Sequence, residues 1–423
     1  MPTTAVPPGE DARHRALADR LREVAATLEQ VAADRGLLAS ISEADRTRLR
    51  QAVAAVYNPD ARARRQMVKA FVRERKSAAA RRDDRVRADT GIRALRRQPV
   101  FTTPNVFPPP QAEPQHTLTP QHCYICKQDY SVVHHFYDRL CPACGDVNVA
   151  KRTELADLRG RVALLTGGRV KIGYQAGLKL LRAGAHLIVT TRFPRDSAAR
   201  YAAEPDFDAW RNRLEIFGLD LRHTPSVEAF CAHLVATRSR LDFIINNACQ
   251  TVRRPPGFYA HMMARETSAL DTTALSAGPA DTLAQVPGVT PAPPLSQVPL
   301  LLDERERRAD VFPEGRLDQD LQQVDLRERN SWRLLLAEVS SIELLEVQLV
   351  NAVAPFIINA RLKSLMLRTP ERDKHIVNVS AVEGQFYRNW KTTRHPHTNM
   401  AKAALNMMTR TSATDYHGDG IHM

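Results

Sequence analysis

Four cysteines form two pairs of identical spacing, Cys123-x-x-Cys126 and Cys141-x-x-Cys144, with fourteen residues between them. Thiolates so arranged can close a tetrahedral site around Zn2+. A four-thiolate site leaves no open position for a substrate, so the metal expected here is structural. It would hold together a ribbon over 121–150 that is too small to fold on its own core. A redox dithiol is the competing chemistry, and a second CxxC argues against it. His122, His134 and His135 stand by as substitutes for one thiolate. With four of six cysteines in such pairs, the sequence reads as one that keeps thiols reduced for metal, which places it in the cytoplasm.

A second chemistry-bearing stretch is TGGRVKIG, residues 166–173. Glycines there let the backbone reverse and let a phosphate approach bare N–H groups, and a following helix offers its positive end. Gly167, Gly168, Arg169, Lys171, Ile172 and Gly173 are the candidate contacts, after Thr166. An ordinary strand-to-helix turn is the plainer reading of glycines alone. Arg192 adds to the signal. An acidic residue at the end of the next strand would bond the ribose 2′-hydroxyl of NAD, whereas an arginine suits the 2′-phosphate of NADP.

The elements that must position these residues follow from hydrophobic pattern. Val162–Leu165 is a short apolar run without polar alternation, as in a strand buried on both faces. Ala176, Leu178, Leu180 and Leu181 lie on a helix that stops near Gly184, and His186–Thr190 returns as a strand. This is a βαβ unit. Further strands are expected at 214–217, 241–245 and 375–379, with an amphipathic helix opening at Ser226. A long helix is expected over 331–368, its Trp332, Leu335, Val339, Ile342, Leu345 and Leu349 facing a core.

The turn resembles the Thr-Gly-x-x-x-Gly-x-Gly fingerprint of the short-chain dehydrogenase/reductase family, with Lys171 at the middle glycine. Asn246-Asn247-Ala248-Cys249 is similar to the family's Asn-Asn-Ala-Gly, and Asn351 with Ala354-Pro355-Phe356 to its fourth-helix motif. The resemblance covers about 160–250 and 331–423. It implies a doubly wound parallel α/β sheet of Rossmann type over 158–423. It places Asp220 and Leu221 beside an adenine ring, Asn247 and Ala248 along the cofactor, and Asn351 at a proton-relay water. It puts Lys402 on the nicotinamide ribose. At the family's serine stands Ala381, with Ser380 its neighbour, and at its tyrosine stands Thr398. In the family the lysine lowers that tyrosine's pKa so that a phenol can exchange a proton with substrate; an aliphatic hydroxyl is too weak an acid. Thr398 keeps a hydrogen bond to offer. His395, His397 and Tyr387 are the other proton sources at hand. The chain ends at the expected sixth strand, so a C-terminally incomplete fold is expected.

The rest of the chain is less specific. Leu17, Leu21, Val24, Leu28 and Val31 follow a 4-3-4-3 spacing, the seam of a coiled coil or helical hairpin, and fit self-association or docking. Ser42 with Asp45 caps a second helix. Over 61–97 fourteen basic residues face four acidic ones, which is +10 of the chain's formal +13. Such a block can contact nucleic acid. A solvated helix face is the plainer reading, since few aromatics interleave for base stacking. The helical, basic region runs over 1–98. Seven prolines over 99–120 predict an extended linker. Residues 250–330 form a long insertion, read as mobile at the mouth of the site and disordered over 271–300. No run of about 18 apolar residues predicts a membrane span.

Two functions fit. One is an NADP-dependent oxidoreductase acting on a carbonyl or alcohol with altered acid/base residues, NAD being the second choice. The other is a catalytically silent NADP-binding scaffold with nucleic-acid or protein partners.

Overall fold

Ala163, Leu164 and Leu165 are fully buried, which is what a strand covered on both faces demands. In the computed structural model of this chain they lie in β3 (Val162–Thr166), at the middle of a six-stranded sheet. The structure describes residues 8–97, 114–267, 286–301, 304, 309–318, 320–387 and 391–423. It divides into two units, Met1–Arg85 and Val86–Met423.

The first unit is helical: α1 (Pro8–Ala33), α2 (Glu43–Tyr57) and most of α3 (Ala61–Ala88). Ser42 caps α2 as expected, its Oγ accepting from the Asp45 N–H at 3.1 Å. Leu17, Leu21 and Val24 of the α1 seam are exposed.

The second unit opens with α4 (Gly91–Arg96). The Gly91 and Ile92 N–H groups donate to the carbonyls of His135 and Phe136 at 3.0 and 2.8 Å, which docks this turn on the cysteine module. That module is a hairpin, β1 (Gln115–His122) and β2 (Asp129–Val133), followed by α5 (Pro142–Thr153). The expected linker therefore ends earlier than 120, since 115–120 already belong to β1, where Gln115 and His116 pair with Val133 and Val132; 99–113 lie outside the described residues.

The sheet is parallel throughout. After β3 come α6 (Lys171–Arg182), β4 (His186–Thr191), α7 (Pro194–Ala202), β5 (Leu214–Gly218), α8 (Thr224–Thr237) and β6 (Phe243–Asn246). Then follow α9 (Pro256–Thr267), α10 (Ser341–Met366), β7 (Lys374–Asn378), α11 (Pro396–Gly418) and β8 (Ile421–His422). Strand order is β5-β4-β3-β6-β7-β8, which reverses direction of growth beside β3. This is a Rossmann-like α/β fold, and such a reversal opens a crevice at the strands' carboxyl ends. One apolar cluster covers each face: Leu178, Leu181 and Trp210 on one side, Val227, Phe230, Ile358 and Leu362 on the other. The sixth strand, expected only as an approach, forms and pairs with β7 through Lys374–Ile421 and His375–His422.

Four expectations are corrected. The long helix starts at Ser341, not 331, where Ser340 Oγ accepts from the Glu343 N–H at 3.1 Å. Its expected stripe is not core: Trp332, Leu335 and Leu345 are exposed, whereas Val347, Ala354, Ile358 and Leu362 are buried. A π turn at Leu349–Val353 shifts the helical phase. Pro355 has no N–H to bond the Asn351 carbonyl, which allows that extra residue. α10 is also long and apolar enough to cross a membrane, which the sequence reading missed; 44% of its most apolar window is buried against this fold. Finally, 286–296 is anchored on the fold. Val286, Ala292 and Pro293 are buried, and the Thr290 N–H donates to Ser226 Oγ at 2.9 Å. The remainder of the stretch expected to be disordered, 271–285, lies outside the described residues.

Candidate functional site

A cleft of about 610 Å3 lies at the carboxyl ends of β3, β4, β6 and β7. Its floor is the glycine turn. Gly167 has φ +70°, and a Cβ there would stand 2.8 Å from Ala248 Cα. A Cβ on Gly173 would stand 2.2 Å from the Gly167 carbonyl oxygen. These glycines let the turn lie flat against Asn247-Ala248. Thr166 Oγ1 accepts from the N–H groups of Asn247 and Ala248 at 3.1 and 3.0 Å. Asn247 Nδ2 donates back to the carbonyls of Thr166 and Gly167 at 3.2 and 3.1 Å. Asn246 Nδ2 reaches Asn359 and Asn378 at 2.8 and 2.9 Å and joins β6 to α10 and β7.

Of the expected cofactor contacts, Gly167, Arg169, Lys171, Ile172, Gly173, Arg192, Asp220, Leu221, Asn247, Ala248 and Lys402 line this cleft. Thr166 and Gly168 do not. Thr166 is tied up behind the wall, and Gly168 backs onto Val189, which a Cβ would meet at 2.7 Å. Lys171, at the middle glycine of the fingerprint, adopts φ +56°, the left-handed conformation a glycine would take without strain.

The cleft's charges are mostly cancelled. Arg169 is buried and pairs with Asp196 at 2.7 Å, which also takes Arg200 at 2.7 Å, so Arg169 brings no free charge to the cleft. Burial opposes ionisation of Asp196, but the two guanidiniums outweigh it and hold its carboxyl below the usual range. Asp220 points to Arg222 at 2.6 Å, and Arg222 also holds Glu346 at 2.8 Å. Arg254 pairs with Asp325. Arg192 alone among the cleft's arginines has no carboxylate partner among the described residues. Its Nη2 donates to the Tyr259 hydroxyl at 2.6 Å.

At the other end lie Ser380, Ala381, Thr398 and Lys402. Lys402 Nζ donates to the Val379 carbonyl at 2.7 Å, and Ser380 Oγ to the Lys402 carbonyl at 3.5 Å. Thr398 Oγ1 is buried and has no hydrogen-bond partner among the described residues. Asn351 sits in the π turn rather than on the cleft wall. Its Oδ1 accepts from the Gln250 N–H at 2.8 Å, and its Nδ2 donates to the Gln250 carbonyl at 3.0 Å, which ties the exit of β6 to α10. None of the other proton sources lines the cleft: Tyr387 is 98% exposed, His395 stacks on Trp332 at 4.1 Å, and His397 is buried 3.5 Å from Glu343. Tyr259, Gln250 and Trp332 were missed as cleft residues because no motif carries them. A larger hollow of about 1100 Å3 between α5 and α6 shares only Lys171 and Ile172 with the cleft.

The Sγ atoms of Cys123, Cys126, Cys141 and Cys144 all lie within 4.8 Å of one another. The first pair sits in the β1–β2 turn and the second at the start of α5. Cys126 and Cys141 are 3.7 Å apart, close to the roughly 3.8 Å edge of a tetrahedron with 2.3 Å metal–sulfur bonds. The Cys141 N–H donates to Cys123 Sγ at 3.4 Å, a bond that favours thiolate. His134 is turned to Asp146 at 3.2 Å and is not a fifth candidate. The set fits zinc.

Residues 161–274 match the family model for short chain dehydrogenase. This segment belongs to the short-chain dehydrogenase/reductase family. An uncharacterized protein of Acanthamoeba polyphaga mimivirus, R665, is 32% identical over 307 residues, which is 70% of this chain and 60% of that protein. Dehydrogenase/reductase SDR family member 13 of Bos taurus is 34% identical over 105 residues, 24% of this chain and 28% of that one. The chain thus spans less than two thirds of the relatives it matches. Among solved structures, a metagenomic short-chain oxidoreductase in complex with NADP covers 63% of this chain and 80% of its own at 17% identity, with a TM-score of 0.39.

Proposed function

We propose that residues 158–423 bind NADP and form a short-chain oxidoreductase domain acting on a carbonyl or alcohol, its proton transfer carried without the family's tyrosine. The observation that supports this reading is Arg192: a cleft guanidinium at the end of β4 with no carboxylate at salt-bridge distance among the described residues. A 2′-phosphate is the ligand group that would satisfy it. NADP supplies the hydride donor or acceptor when bound. The chain's part is to seat the pyrophosphate on the first turn of α6, orient the nicotinamide end near Lys402, and place a hydroxyl at Thr398 or Ser380 beside the substrate oxygen.

The zinc module is proposed as a structural element of the same chain. A silent, cofactor-binding scaffold is the second reading, favoured by Ala381 and by Thr398 at the serine and tyrosine positions.

The test is an NADPH titration followed by nicotinamide fluorescence, with NADH as control and Arg192→Ala in parallel. NADPH is expected to bind, and the substitution to weaken it by about 10- to 100-fold, the cost of a charged phosphate contact. Binding of neither cofactor would overturn the reading. Binding without turnover across a carbonyl panel would select the scaffold.

A further inference from the structure

Tyr259 comes from the insertion after β6, on α9, yet it is the residue that holds Arg192. Arg192 Nη2 donates to its hydroxyl at 2.6 Å, and the guanidinium carbon lies 4.7 Å from its ring centroid. The ring is buried and packs against Phe193 at 5.1 Å between centroids. α9 itself is anchored. Glu266 accepts from the N–H groups of Asp196 and Arg195 at 2.9 and 3.2 Å, at the start of α7. Both Tyr259 and Arg192 line the cleft.

The neutrality of this partner matters. Arg169, Arg222 and Arg254 are each held by a carboxylate, which fixes the side chain and cancels its charge. A phenol fixes Arg192 through one hydrogen bond and a π face while leaving the positive charge available. The hydroxyl accepts from Arg192, and its own proton has no acceptor among the described residues. It can donate to an oxygen that also faces the guanidinium. The arrangement presents two converging donors, one charged and one neutral, to an anion with several oxygens.

We infer that Tyr259 is a specificity-determining residue for the adenosine end of the cofactor, positioning Arg192 and donating to a 2′-phosphate. The inference rests on the dinucleotide reading above. The 250–330 segment thereby supplies part of the cofactor site, in addition to any role toward substrate.

The experiment measures dissociation constants of NADPH and NADH for the full chain and for Tyr259→Phe, Arg192→Ala and the double variant. Thermal midpoints serve as a check on folding. The wild type is expected to bind NADPH more tightly than NADH. Tyr259→Phe keeps the ring and is expected to weaken NADPH by about 3- to 10-fold with NADH unchanged. In the Arg192→Ala background the same substitution is expected to cost less, because the two donors act on one phosphate. If the wild type prefers NADPH and Tyr259→Phe leaves the ratio unchanged, or weakens both cofactors equally, Tyr259 is only a packing residue and the inference falls while the dinucleotide reading stands. If the wild type binds both cofactors without preference, the inference falls while a dinucleotide site stands; if it binds neither, both fall.

Discussion

Lys402 Nζ donates to the backbone carbonyl of Val379 at 2.7 Å, from one helical turn beyond Thr398. The lysine therefore keeps a fixed place at the cleft although the tyrosine it would serve is absent. A buried ammonium four residues after a phenol favours the phenolate, and this is what a tyrosine at 398 would meet. Thr398→Tyr combined with Ala381→Ser is expected to raise NADPH oxidation with a panel of aldehydes and ketones by at least about tenfold, within the range of acid catalysis. The gain should depend on Lys402 and vanish with Lys402→Met. An unchanged rate in well-folded protein that still binds NADPH would show that more than the proton donor is missing.

The four-cysteine set gives a separate prediction. Purified protein should carry one zinc per chain by atomic emission, and Cys126→Ser should lose it. Chelation is expected to melt the 115–153 module, because its buried apolar residues are few: Cys123, Val133, Phe136 and Leu140. Cofactor affinity is expected to stay within about twofold, since the sheet has its own clusters on both faces. A protein that lacks metal as isolated and gains no stability with added zinc would refute the assignment.

The glycine-turn end of the cleft was legible because its signals are local. Gly167, Gly173 and Asn247 are read in sequence and meet in space within one turn and one strand end. The cysteine cluster was legible for the same reason. What sequence could not show is which charges survive folding. Arg169 and Arg192 look alike as isolated arginines, and only the fold gives Asp196 to one and Tyr259 to the other. The 331–349 stripe misled because a periodic pattern does not reveal where a cap begins the helix or where a π turn rotates it. The insertion carried no motif, so its contribution of Tyr259 to the cleft had no sequence signal.

Lys171 joins two opposing effects. Its φ of +56° costs about 1 kcal/mol relative to a glycine there, while its ammonium lies at the cleft, 3.8 Å from Asp320, and on the dinucleotide reading would meet the phosphates. Lys171→Gly is expected to raise stability by up to about 1 kcal/mol, read by urea unfolding, and to weaken NADPH by several-fold. The two changes must carry opposite signs. Tighter NADPH binding in the glycine variant would mean that close backbone approach, not the ammonium, limits affinity.

Asp242 shows how acid should act on the sheet. It is fully buried at the start of β6, where its carboxylate takes Arg240 at 2.7 Å, Arg161 at 2.8 Å and the Val162 N–H at 2.8 Å. Burial alone would raise its pKa. The two guanidiniums and the backbone donor outweigh that and hold it below the ordinary 3.8. A carboxyl with a folded pKa below its unfolded value binds its proton more readily when unfolded. Its stabilisation is complete above about pH 4 and is lost as pH falls through the depressed value. Asp242→Asn is expected to lower stability at pH 7 by about 1 to 2 kcal/mol, because charge-assisted hydrogen bonds at the buried carboxylate are lost while Arg161 and Arg240 keep Asp373 and Glu371 as partners. The deficit relative to wild type should shrink as pH is lowered from 4 towards 2.5, measured as unfolding free energy by denaturant titration. If the two curves run parallel across that interval, the linkage resides in another carboxylate, of which Asp196 and Asp220 are the next buried candidates.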